Sequence, residues 1–156
     1  MRIDNRHART IALDAVEAGK WLDSLASEDD QLWPRSWPPM VLDQGLRVGS
    51  RGGHGPVRYA VEAYVPGKSV AFAFDRSIGL HGTHRFDLVP VDGGVRFEHR
   101  IDAQATGTMR LAWPLAVRWL HDALIEDAFD AASTRVGTPC RTPWSLWVRM
   151  LRRVLR

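Results

Sequence analysis

The spacing of apolar residues changes at Pro114, and this change constrains the fold more than any other feature of the sequence. Between Val57 and Ala105, apolar residues recur at every second position, which is typical of strands that bury one face. Beyond Pro114 the spacing becomes three or four, as in an amphipathic helix, here of roughly 20 residues. We expect the helix to begin at this proline, because the first helical turn tolerates a residue without an N–H group. The helical stripe comprises Trp113, Val117, Leu120, Leu124, Ala128 and Ala131.

The remaining segments predict further strands and one short helix. Residues 2–13 alternate weakly and predict an edge strand, and Asp14 with Glu17 forms a capping box that opens a short helix containing Trp21. Residues 32–40 hold three prolines and two tryptophans, so we expect a packed loop there. Residues 46–50 predict a short strand before a glycine-rich turn at 49–56, in which we expect an exposed His54, and four longer strands follow. The first of these places on one face Val57, Tyr59, Val61, Ala63 and Val65.

Composition agrees with one packed domain. The chain has 156 residues, of which 45% are apolar and 25% charged, and this balance is ordinary for a globular protein. The single cysteine, Cys140, excludes an internal disulfide and favours a reducing compartment. Because no apolar run approaches the ~20 residues of a membrane span and no signal-peptide core is evident, we expect a cytoplasmic protein.

The positive charge is concentrated at the end of the chain. Six arginines and no acidic residue lie between Arg135 and Arg156, whereas the preceding part carries 15 basic against 18 acidic residues. A nucleic-acid surface on the main domain is therefore not expected. We divide the chain into a ligand-binding domain at 1–136 and a linker with a basic amphipathic tail at 137–156.

The tail predicts a helix with two opposed faces. An apolar arc contains Trp144, Trp147, Val148, Leu151, Val154 and Leu155, and a basic arc contains Arg149, Arg152, Arg153 and Arg156. Such a helix is too short to span a bilayer but suits an anionic membrane surface. It can equally dock on its own domain or on a second subunit, so the expected contacts are a membrane surface, a homodimer partner or the domain itself. The residues proposed for an external contact are Trp144, Trp147, Leu151, Arg149, Arg152 and Arg153.

Three histidines are predicted to face the interior. Alternation places His84 on the inward face with Phe86, and His99 on the inward face with Phe97. A two-residue turn at Asp92-Gly93 sets the register of the two strands so that Phe86 lies opposite His99. His84 and His99 are then diagonal neighbours and are expected to be the closest pair. The third, His121, falls within the apolar stripe of the long helix, while Asp122 and Glu126 point away from it.

The order of these segments resembles the SRPBCC or START-like superfamily, which includes polyketide cyclase/dehydrase-type and lipid-transport proteins. The similar features are Trp21 in the first helix and the stretches GSRGGHGPVRY, YVPGKSVAFAF, GTHRFDLVP, GGVRFEHRI and WPLAVRWLHDALIED. The resemblance covers about residues 1–135 and implies an α+β helix-grip fold, in which a curved antiparallel sheet wraps around a long C-terminal helix. It also implies an apolar cavity between sheet and helix that takes a hydrophobic small molecule.

The candidate ligand-binding residues are those predicted to face this cavity, namely Tyr59, Phe72, Phe74, His84, Phe86, Phe97, His99, Trp113, Val117 and His121. Three interpretations of the histidines stay open. They are separate side chains, each hydrogen-bonded to backbone or water; or a group that orients a ligand or transfers protons; or three ligands of one zinc ion. No carboxylate is placed to support a metal ligand, so we expect neither a metal nor another cofactor.

Three functions follow from this set. The first is binding or carriage of a hydrophobic or aromatic molecule. The second is an aromatase/cyclase or dehydratase-type enzyme in which His84, His99, His121 and Tyr59 polarise a carbonyl or move protons. The third is a peripheral membrane protein that handles a lipid or quinone.

Overall fold

The computed structural model describes residues 1–154 and contains one seven-stranded antiparallel sheet. The strands are β1 (Arg2–Ile11), β2 (Val41–Leu42), β3 (Arg51–His54), β4 (Val57–Val65), β5 (Ser69–Phe74), β6 (Leu80–Val91) and β7 (Gly94–Ala105). Their order in the sheet is β1-β7-β6-β5-β4-β3-β2, so β1 is an edge strand, as predicted. The helices are α1 (Ala15–Asp23), a 3₁₀ turn (Arg76–Ile78), α2 (Met109–Ala112), a π-helical segment (Trp113–Val117), α3 (Arg118–Arg135) and α4 (Leu146–Val154).

Two strand predictions are wrong. Residues 46–50 form turns and bends, and the glycine-rich stretch that follows contains β3, which pairs with both β2 and β4. Glycine is required there because a Cβ on Gly52 would lie 1.8 Å from the carbonyl oxygen of Val41 on β2. In β4 a β-bulge between Val61 and Ala63 reverses the alternation, so Val65 is exposed instead of buried.

The long helix begins before the proline predicted to open it. The helix α2, the π-helical segment and α3 follow one another without a break from Met109 to Arg135, and Pro114 lies in the π-helical segment. A proline inside a helix removes one hydrogen bond and clashes with the preceding turn. The helix departs from regular α geometry at this proline, where the π-helical segment lies. We call the whole of 109–135 the long helix.

Asp14 caps α1 as the sequence predicts, accepting hydrogen bonds from the backbone N–H groups of Val16 and Glu17. One face of α1 is buried, and there Gly19 approaches Gly67 in the turn between β4 and β5. A Cβ on Gly19 would lie 2.8 Å from the Cα of Gly67, so glycine is required at position 19. Curved antiparallel sheet, long helix and short final helix together form a helix-grip fold.

The final helix α4 packs on the long helix and on the proline-rich loop. Val148 is buried, and the Trp144 indole N–H donates to Asp127 on α3 at 2.9 Å. The guanidinium of Arg152, predicted to lie on an outward basic face, is instead 4.0 Å from the ring centres of both Trp37 and Trp144. Two residues of the predicted arcs, Leu155 and Arg156, lie outside the described residues.

Within residues 1–154, no helix combines the length and apolar character needed to cross a bilayer.

Candidate functional site

The register predicted for β6 and β7 is confirmed. Val91 pairs with Gly94 across the two-residue turn, and this places Phe86 opposite His99 and His84 opposite Ile101. His84 and His99 are both buried on the inward face of the sheet. Their ring centres are 5.7 Å apart, as expected for diagonal neighbours.

A row of aromatic and imidazole rings crosses the interior from the sheet to the long helix. Tyr59 on β4 is 4.7 Å from His84, and His99 on β7 is 4.9 Å from His121 on α3, measured between ring centres. His99 and His121, and not the two strand histidines, are therefore the closest pair of the predicted three. His7 on β1 continues the row at 5.8 Å from His121.

This row lies between two apolar clusters. One cluster includes Phe72, Phe86 and Phe97 and extends to α1 and the proline-rich loop. The other is built from the far ends of the long strands and the start of the long helix, and it includes Phe74 and Trp113. The imidazoles thus form a polar layer inside an otherwise apolar core, which we call the histidine layer (His84, His99 and His121).

Several nitrogens of the histidine layer have no hydrogen-bond partner among the described residues. They are Nε2 of His84, Nδ1 of His99 and both ring nitrogens of His121, whose Nδ1 lies 3.6 Å from Asp122 Oδ1, too far for a hydrogen bond. Burial lowers the pKa of His84 and of His99 well below the ordinary value of 6.5. Burial also lowers the pKa of His121, although Asp122 opposes the shift. All three imidazoles are neutral at pH 7, so each offers one donor and one acceptor.

His54 extends the layer on the side of β4. The glycine-rich stretch predicts an exposed His54, but the structure places its ring 4.9 Å from Trp33 and its Nδ1 3.0 Å from the Tyr59 hydroxyl. Burial lowers the pKa of His54 to about 3 and raises that of Tyr59. The Tyr59 hydroxyl therefore keeps its proton and is next to a neutral imidazole.

A polar ladder joins β1 to α3, and the sequence analysis missed it. Asn5 donates to Asp122, His7 contacts both Asp122 and Glu126, and Arg9 pairs with Glu126 and Asp130. Asp122 and Glu126 thus face the inward side of β1 instead of pointing away.

The sequence does contain a signal for this ladder, in the spacing of polar residues along β1 and along α3. Alternate residues on a strand are ~6.7 Å apart, and residues four apart on a helix are ~6.0 Å apart. Asn5, His7 and Arg9 on one element therefore match Asp122, Glu126 and Asp130 on the other.

The ladder sets cationic side chains of β1 against carboxylates of α3. Burial lowers the pKa of His7, but hydrogen bonds to Asp122 and Glu126 outweigh this effect and raise it to about 9. The hydrogen bond from His7 lowers the pKa of Glu126. At neutral pH, His7 and Arg9 are both positively charged and lie against three carboxylates.

One group in the described part of the chain has the spacing of metal ligands. Atoms of His7, His121 and Asp122 lie within 4.8 Å of one another. However, Asp122 already accepts hydrogen bonds from His7 and Asn5, and Arg118 lies 3.5 Å from its second oxygen. A cation would have to displace the proton of His7, so the group is better explained as an ion-pair network.

The remaining candidate residues surround the histidine layer. Tyr59, Phe72, Phe74, Phe86, Phe97 and Trp113 are buried, and Val117 is half-buried on the π-helical segment. Rings contact one another directly: the centres of Phe72 and His84 are 4.8 Å apart, and those of Phe86 and His99 are 4.4 Å apart.

Two surface depressions of residues 1–154 lie away from the histidine layer. One of about 350 Å³ is on the outer face of the sheet between Arg6 and Arg85, and one of about 690 Å³ lies between α1 and the Pro66-Gly67 turn. In this conformation the aromatic rings themselves occupy much of the expected cavity region.

Known proteins resemble this chain in fold and not in sequence. No protein-family model matches it, and no curated protein matches its sequence. The di-domain ARO/CYC StfQ from the steffimycin biosynthetic pathway superimposes with a TM-score of 0.64 at 13% identity over 88% of this chain. This chain covers 51% of StfQ, about half of its length.

Two other solved structures match this chain over nearly their own full length. A protein from Thermobifida fusca has a TM-score of 0.66 at 10% identity and covers 90% of this chain and 99% of its own. CalU16 from Micromonospora echinospora has a TM-score of 0.59 at 13% identity and covers 99% and 92%. At these identities the likeness establishes the helix-grip fold.

Proposed function

We propose that the protein binds an apolar or aromatic small molecule that carries a hydroxyl or carbonyl group, between the sheet and the long helix. The observation that supports this most is the set of unpaired nitrogens in the histidine layer. Buried polar groups are nearly always hydrogen-bonded, and an unpaired one costs about 1–3 kcal/mol. A ligand oxygen at the histidine layer would recover part of that cost.

The surroundings select the rest of the ligand. Apolar clusters lie on both sides of the histidine layer, so a flat hydrophobic body fits beside one polar group. Because the rings touch in the structure, binding requires the long helix to move relative to the sheet. On the long helix, Val117 is half-buried, and the His121 ring, with its side chain 13% exposed, lies 4.9 Å from the His99 ring.

This proposal includes membership of the SRPBCC or START-like superfamily. The helix-grip fold and the likeness to StfQ support it, together with the order of the sequence stretches described above. Ligand binding within the fold is the property shared by carrier and enzyme alike, so it is the part to test first.

The binding test uses a matched pair of probes, 2-naphthol and naphthalene, which differ by one hydroxyl. Fluorescence titration is expected to show one site per chain and roughly tenfold tighter binding of 2-naphthol, the value of one net hydrogen bond. His99→Phe keeps an aromatic ring but removes both ring nitrogens, and the preference for 2-naphthol is expected to disappear. His81→Phe, at an exposed histidine on β6, is the control.

Equal affinity for the two probes, or no saturable binding, would contradict the proposal. Native mass spectrometry of the purified chain provides an independent measurement. It would detect a retained ligand as a discrete added mass.

A second candidate function is cyclisation or dehydration of a polyketide-like substrate. Two observations favour it: the likeness to an ARO/CYC protein, and neutral imidazoles within one layer beside a protonated Tyr59 hydroxyl. A neutral imidazole can remove a proton next to a carbonyl, while the phenol donates a hydrogen bond to the developing oxyanion.

Turnover separates the two functions. Incubation with a linear poly-β-ketone thioester should give ring products detectable by mass spectrometry, and Tyr59→Phe or His84→Gln should slow their formation by about 100-fold or more if those groups act chemically. Binding without accelerated ring formation would reject the enzyme and leave the carrier.

A further inference from the structure

Two helices expose apolar side chains to solvent at regular spacing. On the long helix, Leu111, Leu115 and Trp119 recur every four residues and are 70%, 60% and 42% exposed. On α4, Leu146 and Met150 show the same spacing and are 81% and 45% exposed. Single exposed apolar residues are ordinary, but a contiguous group of this kind marks an interaction surface.

Trp147 joins the two rows. Its indole N–H donates to the carbonyl oxygen of Leu115 at 2.8 Å, and its ring remains 41% exposed. The six side chains, Leu111, Leu115, Trp119, Leu146, Trp147 and Met150, are called the apolar surface below. The π-helical segment contains Leu115, so the carbonyl that receives this hydrogen bond belongs to an irregular turn.

The apolar surface does not result from an undocked tail. α4 is held to the domain by its other side, through buried Val148 and through Arg152 stacked between Trp37 and Trp144. The predicted apolar arc is therefore divided: part of it packs inward, and Trp147 is presented outward with residues the arc did not include.

Positive charge surrounds the apolar surface. Arg110, Arg118, Arg149 and Arg153 are exposed on the same two helices. Neither residues 103–121 nor residues 131–154 contain an aspartate or glutamate. The centre of the Arg118 guanidinium lies 5.8 Å from the Trp119 ring.

We propose that the apolar surface binds to an anionic lipid bilayer, with the leucines and tryptophans entering the headgroup boundary and the arginines contacting lipid phosphates. Tryptophan and arginine at one surface match the two parts of a membrane interface. A symmetric dimer through the same surface would bring two groups of arginines together, and the Asp122 carboxylate, 3.5 Å from Arg118, offsets only part of that charge. Charge complementarity therefore favours the membrane over a second copy.

Co-sedimentation tests this with vesicles of phosphatidylcholine alone or mixed with phosphatidylglycerol, at low and high salt. The full chain is expected to bind only the mixed vesicles strongly, and binding should weaken with salt. Arg149→Gln should weaken it about fivefold, the effect of one basic residue at an anionic surface. Leu115→Ser should weaken it about tenfold through lost apolar burial.

The control is Val65→Ser, at an exposed apolar residue outside the apolar surface, and it should bind like the unmodified chain. Circular dichroism should show unchanged thermal unfolding for each variant. The proposal is overturned if mixed vesicles bind no protein, or if Leu115→Ser binds as well as the control. A dimer in analytical ultracentrifugation that Leu115→Ser dissociates would also overturn it, in favour of a subunit interface.

Discussion

Acid should destabilise this protein steeply, because its interior holds histidines that stay neutral in the folded chain at pH values where the unfolded chain protonates them. Burial lowers the pKa of His54 to about 3 and those of His84 and His99 well below 6.5. Below pH 6.5 the unfolded chain binds protons that the folded chain does not, so the free energy of unfolding falls as the pH falls. The window lies between pH 6.5 and about 5, where most carboxylates are still ionised.

The magnitude follows from the number of histidines involved. Each one contributes at most about 1.4 kcal/mol per pH unit, so His54, His84 and His99 give a limiting slope of about 4 kcal/mol per pH unit. His121, whose pKa burial also lowers, acts in the same direction. His7 acts in the opposite direction: its pKa is raised to about 9, so its stabilisation is complete below pH 6.5 and falls steadily as the pH rises from 6.5 to 9. Maximum stability is therefore expected at about pH 7, where the two opposing slopes cancel.

Urea unfolding followed by tryptophan fluorescence at several pH values measures this slope. His99→Gln cannot titrate, so its slope should be smaller by about 1.4 kcal/mol per pH unit, whatever its stability at pH 7.5. His81→Gln, which changes an exposed histidine, should keep the slope of the unmodified chain. A free energy of unfolding that stays constant from pH 7 to 5, or equal slopes in both variants, would refute the argument.

Three further substitutions test the packing. Phe97→Ala removes a fully buried ring from the larger apolar cluster and should lower the free energy of unfolding by about 3–5 kcal/mol in urea titrations. Arg152→Ala should lower the melting temperature through loss of its two ring contacts, worth about 1–2 kcal/mol, whereas Arg153→Ala at the neighbouring exposed position should not. Gly52→Ala should separate β2 from β3, seen as faster amide exchange at Val41, and unchanged exchange there would contradict the close approach.

Much of the fold could be predicted from local patterns. Alternation identified the long strands β6 and β7, and the Asp92-Gly93 turn set their register, since a two-residue turn leaves one pairing. The inward direction of His84 and His99 followed from that register. The cap at Asp14 and the existence of the long helix were likewise encoded within a few residues.

The site depended more on contacts between distant segments. Nothing near His54 shows that its ring meets Tyr59 and Trp33, because that contact requires the loop at residues 32–40 to cover the end of β4. Arg152 shows the same effect: helical periodicity places it on a polar face, but two tryptophans from separate segments provide a cation–π site.

Local patterns specify which way a side chain points relative to its own strand or helix, since backbone geometry alone sets the periods of 2 and 3.6. Which side chain it then meets depends on how elements pack. His7 could be placed on the inward face of an edge strand by its spacing from Ile3 and Ile11, but only packing against α3 surrounds it with Asp122 and Glu126 and keeps it charged. Packing likewise leaves His84 and His99 neutral, because no carboxylate of residues 1–154 reaches them and burial removes the water that would solvate a charge.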